Sequence, residues 1–282
     1  MFIIKPIFTT LIQLLLVLGP ALGLGLLMHY LSDCIRTRAA VLIGTKKYTY
    51  LTAPGVVVHE ASHALFALIF LHKVTKVVFF APDEKTGTLG YVNHTYNKRN
   101  LYQRAGNFFI GSAPIWGGCA VIALCGWFLL PPTMLAPARE MLSFSNNASS
   151  ADGAAAAQSL LNVFSVLGYL GIETAGALFT SGALLSIGFY VFAYICFCIG
   201  GNMTLSPPDI KGVWDGGIII VVVMLVFNFL MQWLPAVTEL VDLMMSTASV
   251  IICAVMLLAL VLNLICYGLL VLAGRFFRRV PA

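Results

Sequence analysis

Apolar residues do not alternate along this chain; they come in long runs. Six stretches are almost free of charge: 8–31, 54–71, 107–130, 177–199, 217–234 and 250–273. At about 1.5 Å per residue, each makes a helix that crosses or nearly crosses the ~30 Å hydrocarbon core of a bilayer. The pattern predicts an all-α polytopic membrane protein with about six transmembrane helices. Pro20 predicts a kink in the first of them. A further apolar stretch, 154–170, carries Gln158, Ser159, Asn162 and Ser165, and reads better as an interfacial or packed helix than as a full span. If it crosses, the count becomes seven and the two ends of the chain separate.

Between the runs the pattern changes. Residues 39–43 and 48–51, beside Arg36, Arg38, Lys46 and Lys47, are short enough for strands. Over 74–96 the β-type runs 77–80 and 89–92 flank Asp83-Glu84-Lys85-Thr86-Gly87, which predicts a membrane-associated β-hairpin directly after the second run. The third run, with Gly106 just ahead of it, holds Gly111, Gly117 and Gly118, which allow close helix contact, and Pro114, which permits a break. Residues 131–153 read as a polar loop. Gly200-Gly201 closes the fourth run, and Pro207-Pro208 predicts irregular backbone from Asn202 to Gly212.

Composition narrows this to one class. A hydrophobic fraction of 60%, 10% charged residues and a mean hydropathy of +0.95 leave no soluble segment long enough to fold separately, so 1–282 reads as a single membrane-embedded domain with its core at 54–212. The net charge of +5 needs no nucleic-acid partner, because the basic residues lie between runs and at the C-terminus, as topology signals do. With six spans and a cytoplasmic N-terminus, 11 Lys and Arg fall inside and 5 outside, which predicts both termini in the cytoplasm of a bacterial cell with the chain in its inner membrane. The 7 cysteines form no Cys-x-x-Cys pair and read as small apolar fillers.

The candidate chemistry sits inside the second run, as His59-Glu60-Ala61-Ser62-His63. On a helix, residues four apart share a face, so His59 and His63 can hold one Zn²⁺ between them. Glu60 stands beside the first ligand, where it can take a proton from water. With 5 His and 5 Glu in 282 residues, the motif arises by chance with a probability of roughly 0.002. A carboxylate in mid-bilayer is also costly unless it is paired or functional. A catalytic zinc needs a third ligand and an open position. Asp209, in the broken backbone after the fourth run, is the candidate; Asp215, at the start of the fifth, is the competitor. His94 on the hairpin reads as a rim histidine or a fourth ligand, and His29 and His72 as interfacial.

These pieces resemble the site-2 protease class of intramembrane zinc metallopeptidases. The resemblance rests on His59-Glu60-Ala61-Ser62-His63, the hairpin after it, Gly111-Ser112-Ala113-Pro114, and Asn202 ahead of Pro207-Pro208-Asp209. That family's later motif has Leu-Asp-Gly after its prolines; here Pro208 takes the place of the Leu, and Gly212 comes three residues after the Asp. The resemblance implies cleavage of a transmembrane protein substrate near the cytoplasmic face, as in regulated intramembrane proteolysis. Ten residues from His63 to Lys73 would set the metal about 15 Å below the end of its helix. Glu60 would act as general base. Asn202 would orient substrate or hold the oxyanion, or simply cap a helix. The strand carrying Leu89, Gly90, Tyr91, Val92 and Asn93 would pair with an unwound substrate. Two other classes fit the same scaffold, a metal transporter and a non-catalytic membrane regulator. Glu60 argues against the second, since binding alone does not require it.

Overall fold

The computed structural model describes residues 4–83, 85–134, 176, 180 and 182–277. The stretch 154–170 and most of the loop predicted at 131–153 lie outside them. The described elements are α1 (Ile4–Ile43), α2 (Thr45–Leu51), α3 (Ala53–Ile69), β1 (Lys73–Val78), β2 (Tyr91–Thr95), α4 (Leu101–Gly111) and α5 (Ala113–Leu129). After a short 3₁₀ turn at Ala183–Leu185 come α6 (Ile187–Gly200), α7 (Pro207–Met231) and α8 (Pro235–Phe277). The chain is mostly helical, with one small two-stranded sheet.

Among the described residues, three helices, α1, α7 and α8, are long and apolar enough to cross a membrane. The pair α4–α5, bent by 60° at Ser112, would be a fourth span if taken as one. The predicted six are not confirmed: among the described residues α3 and α6 are apolar but only 17 and 14 residues long. Large apolar side chains such as Leu26 on α1, Val222 on α7 and Leu269 on α8 face outward, as they do toward lipid.

Pro20 lies within α1, which continues as helix on both sides of it. The strands predicted at 39–43 and 48–51 are corrected: these residues belong to α1 and α2. A proline removes the N–H that would bond the carbonyl four residues back. Here that carbonyl is Leu16, and Ser249 Oγ of α8 donates to it. A second polar knot joins α1 to α7: Asn228 Nδ2 donates to Thr10 Oγ1 and to Gln13 Oε1, both at 2.8 Å.

α1 and α8 run parallel. Near their starts Gln13 Nε2 donates to Asp242 at 2.6 Å; near their ends Arg38 Nε donates to the Tyr267 hydroxyl at 3.2 Å. Ile4 and Phe277 therefore lie at opposite ends of the bundle, where the six-span reading puts both ends of the chain on one side. The same pairing gathers Arg36, Arg38, Lys46, Lys47 and Arg275 at one end. Between the long helices, Met28, Ile122, Phe192, Ile199, Met256 and Ala259 form the buried core.

α3 ends earlier than its apolar run suggests. Leu71 adopts a left-handed φ of 57°, and His72 N–H bonds back to the Ala67 carbonyl at 2.8 Å. This is the helix-ending turn that usually takes glycine, and it throws the chain directly into β1. The hairpin ladder is antiparallel, from Lys73 opposite Thr95 to Val78 opposite Tyr91, with a bulge between Val74 and Lys76. The strands sit further from the turn than the apolar runs 77–80 and 89–92 predict, and Leu89 and Gly90 precede β2. The ladder starts among Lys73, Asn93 and Thr95, polar positions that apolar patterning does not register.

Candidate metal centre

Two helices supply the site. α3 presents His59 and His63, one turn apart, and α7 presents Asp209 in its first turn. Among the described residues these three form the one group whose ligand atoms, all within 4.8 Å of one another, could hold a metal ion. His59 Nε2 and His63 Nε2 are 3.1 Å apart. Asp209 Oδ1 is 3.3 Å from His63 Nε2, and Asp209 Oδ2 is 4.0 Å from His59 Nε2. A tetrahedral ion with bonds of about 2.1 Å sets its ligand atoms about 3.4 Å apart, so the triangle has the right size.

The tautomers follow from the neighbours. His59 Nδ1–H donates to the Asn202 carbonyl and His63 Nδ1–H to the Ile110 carbonyl, each at 2.7 Å. In neutral rings with Nδ1 protonated, both Nε2 atoms present bare lone pairs to each other and to a carboxylate. Such a convergence of electron pairs is repulsive without a cation in its midst. Backbone carbonyls holding the far nitrogens are also the usual support for metal-binding histidines.

Both carbonyls are available because helices break beside them. Ile110 lies four residues before Pro114, which has no N–H to give it, and α4 ends one residue later. Asn202 lies just past Gly200-Gly201, where α6 stops. Asp209 is held from behind: Ser206 N–H and Oγ–H donate to its Oδ2 at 2.8 and 2.6 Å. Pro207-Pro208 therefore does not disorder this stretch. It opens α7, where prolines in the first turn lose no hydrogen bond.

Close backbone approach fixes these elements together. A Cβ at Gly55 would overlap the Cys198 carbonyl oxygen, so α3 and α6 touch backbone to backbone. A Cβ at Gly111 would overlap the Asp209 carbonyl oxygen, which seats α7 against α4. Glu60, 8% exposed, lies under the segment that leads into β2: a Cβ at Gly90 would come within 2.8 Å of Glu60 Cγ.

The remaining sequence candidates fall elsewhere. Asp215 is not brought to the histidines; the Tyr96 hydroxyl, Asn107 Nδ2 and Arg104 hold it at 3.0, 2.8 and 3.6 Å. The Asn202 side chain donates to the Cys198 carbonyl at 2.9 Å, the helix-capping alternative, while its backbone carbonyl orients His59. Tyr91, Val92 and Asn93 lie on β2, whose partner in the two-stranded sheet is β1. His94 pairs with His72, Nδ1 to Nδ1 at 2.9 Å, and His72 Nε2–H donates to the Gln103 carbonyl at 2.8 Å. Burial and the neighbouring His72 ring lower the His94 pKa to about 4, and burial lowers that of His72. Sequence reasoning missed Ser206, Ile110 and this histidine pair. Only the Ser-x-x-Asp spacing of Ser206 and Asp209 was a readable signal. No protein-family model, no curated protein and no solved structure matches this chain.

Proposed function

We propose that this protein is an intramembrane zinc metalloprotease of the site-2 protease kind, hydrolysing a peptide bond of a transmembrane protein. The observation that supports this best is the pair of histidine Nε2 atoms facing each other at 3.1 Å beside a carboxylate, with Glu60 next in sequence to the first histidine. Two imidazoles and one carboxylate suit zinc and leave a fourth position open. Zinc bound there supplies a Lewis acid for a scissile carbonyl and lowers the pKa of a water.

The chain's own residues supply the rest. Glu60 takes the water's proton and returns it to the leaving amine nitrogen, the two proton transfers that amide hydrolysis requires. The Asn202 and Ile110 carbonyls hold both imidazoles in the ligating tautomer, and Ser206 holds Asp209. The outer edge of β2 takes an extended substrate segment by strand addition, and Gly90 lets the hairpin lie close over Glu60. α3 ends at Ile69, six residues beyond His63, so the site lies about 9 Å from that end of the helix. This is shallower than the 15 Å expected from the apolar run, and it shortens the path that water must take.

The test is Glu60→Gln, co-expressed with a single-span substrate. The variant should bind zinc as the parent does and leave the substrate uncut. Cleavage at the parental rate would reject the hydrolase reading. Lost zinc transport with no proteolysis in either form would favour a transporter.

A further inference from the structure

Away from the metal centre, a groove of about 600 Å³ opens between the C-terminal halves of α1 and α8. Val41 and Leu42 of α1 and Leu270 and Val271 of α8 line it, with Arg38 and Arg275. Arg38 is level with Tyr267: its guanidinium donates to the hydroxyl and lies over the ring at 5.1 Å from the centroid. Tyr267 stands inside the apolar run 250–273 of α8. A cation level with a lipid-facing apolar run is costly unless an anion meets it. Arg36, two residues before Arg38, is neutralised by Asp33 at 2.8 Å. Among the described residues no carboxylate lies within ion-pair distance of Arg38 or Arg275.

Arg275 follows Tyr267 by eight residues, about 12 Å along the axis, which two long guanidinium side chains reaching toward each other can span. Gly274, between the apolar wall and Arg275, leaves space: a Cβ there would meet nothing nearer than Leu42 Cδ2 at 4.0 Å. The parallel pairing of α1 and α8 also brings Lys46 and Lys47 to this end, so the field around the groove is positive.

We propose that this groove binds an anionic phospholipid, its phosphate held by Arg38 and Arg275 and an acyl chain lying along Val41, Leu42, Leu270 and Val271. Guanidinium groups suit phosphate because their paired N–H donors match its oxygens. The aliphatic wall is what separates a lipid from a free anion. The proposal is independent of the metal centre and of any proteolysis.

The experiment is native mass spectrometry of the full chain titrated with phosphatidylglycerol and with phosphatidylcholine of matched acyl chains. The parent should prefer phosphatidylglycerol by about thirtyfold, about fivefold for each guanidinium contact. Arg38→Gln/Arg275→Gln should reduce the preference to within about twofold. Gly274→Leu, which keeps both charges but fills the acyl path, should also lose bound lipid, and it keeps the test open if the double variant does not fold. Lys46→Gln/Lys47→Gln should reduce the preference less than the arginine pair does, because these lysines add only to the field and do not line the groove. Three results would overturn the proposal: no headgroup preference in the parent, equal loss in the lysine variant, or displacement of the lipid by millimolar inorganic phosphate.

Discussion

Ser206→Ala tests whether the metal centre is pre-formed by its supports. The hydroxyl makes one 2.6 Å bond to Asp209 Oδ2, and the backbone N–H makes a second at 2.8 Å that the variant keeps. Hydrogen bonds to a charged group contribute about 1.5–3 kcal/mol. Ser206 is exposed, so water replaces part of the lost bond and the lower end applies. About 1.4 kcal/mol corresponds to a tenfold weaker metal affinity, at the low end of the 10–100-fold typical for groups behind metal ligands. Competition against a chromophoric chelator in detergent reads the affinity directly. Thermal unfolding without metal reads the separate cost of a lost helix cap, about 1 kcal/mol. Asp209→Ala in the same assay should lose far more, and Glu60→Gln should lose nothing. If Ser206→Ala stays within twofold of the parent while Asp209→Ala weakens binding, the idea that the hydroxyl orients the ligand is wrong. If Asp209→Ala also stays within twofold, the three-residue site itself is refuted.

Two further outcomes are expected. Gly55→Ala forces a methyl into the Cys198 carbonyl, which is backbone and cannot swing away; overpacking of this kind costs about 1–3 kcal/mol. It should lower the unfolding temperature and, by pulling Asn202 away from His59, weaken metal binding, whereas a parental unfolding temperature would show that α3 and α6 do not touch as described. Acid should loosen the hairpin. The His94 pKa is lowered to about 4, so the unfolded chain binds a proton first as pH falls, and stability drops between about 6.5 and about 4. Amide exchange of Val92 to Thr95, corrected for its intrinsic pH dependence, should report this opening, and His94→Gln should flatten it; a hairpin equally protected at pH 7 and pH 5 would contradict the assignment.

The sequence made some features legible and hid others for identifiable reasons. His59, Glu60 and His63 were readable because four-residue spacing on a helix is local. The hairpin was readable from β-type runs around Asp83-Glu84-Lys85-Thr86-Gly87, but its register was not, since pairing of Lys73 with Thr95 rests on contacts across the chain. Pro20 and Pro114 were visible as breaks in bonding. Which group takes each released carbonyl was not visible: Ser249 lies 233 residues from Leu16, and His63 lies 47 residues from Ile110. α1 therefore stays helical on both sides of Pro20, while Pro114 follows the end of a helix and frees the carbonyl that orients His63. The prolines before Asp209 misled in the opposite way, because in a first turn they start a helix as readily as elsewhere they stop one. The direction of α8 relative to α1 depends on how many crossings lie between them, which apolar run lengths near the threshold do not fix.

The shortness of the two helices that meet at Gly55 reaches beyond the protein itself. At about 1.5 Å per residue, α3 and α6 measure roughly 25 and 21 Å against a hydrocarbon slab of ~30 Å. Lipids bordering them must thin to match, at a cost of fractions of a kcal/mol per ångström of mismatch. A passing helix of ordinary length finds its own ends stretched past that dimple into the headgroups. There it can relieve the mismatch by unravelling a turn, which is what the proposed cleavage of a transmembrane substrate beside the histidines would require.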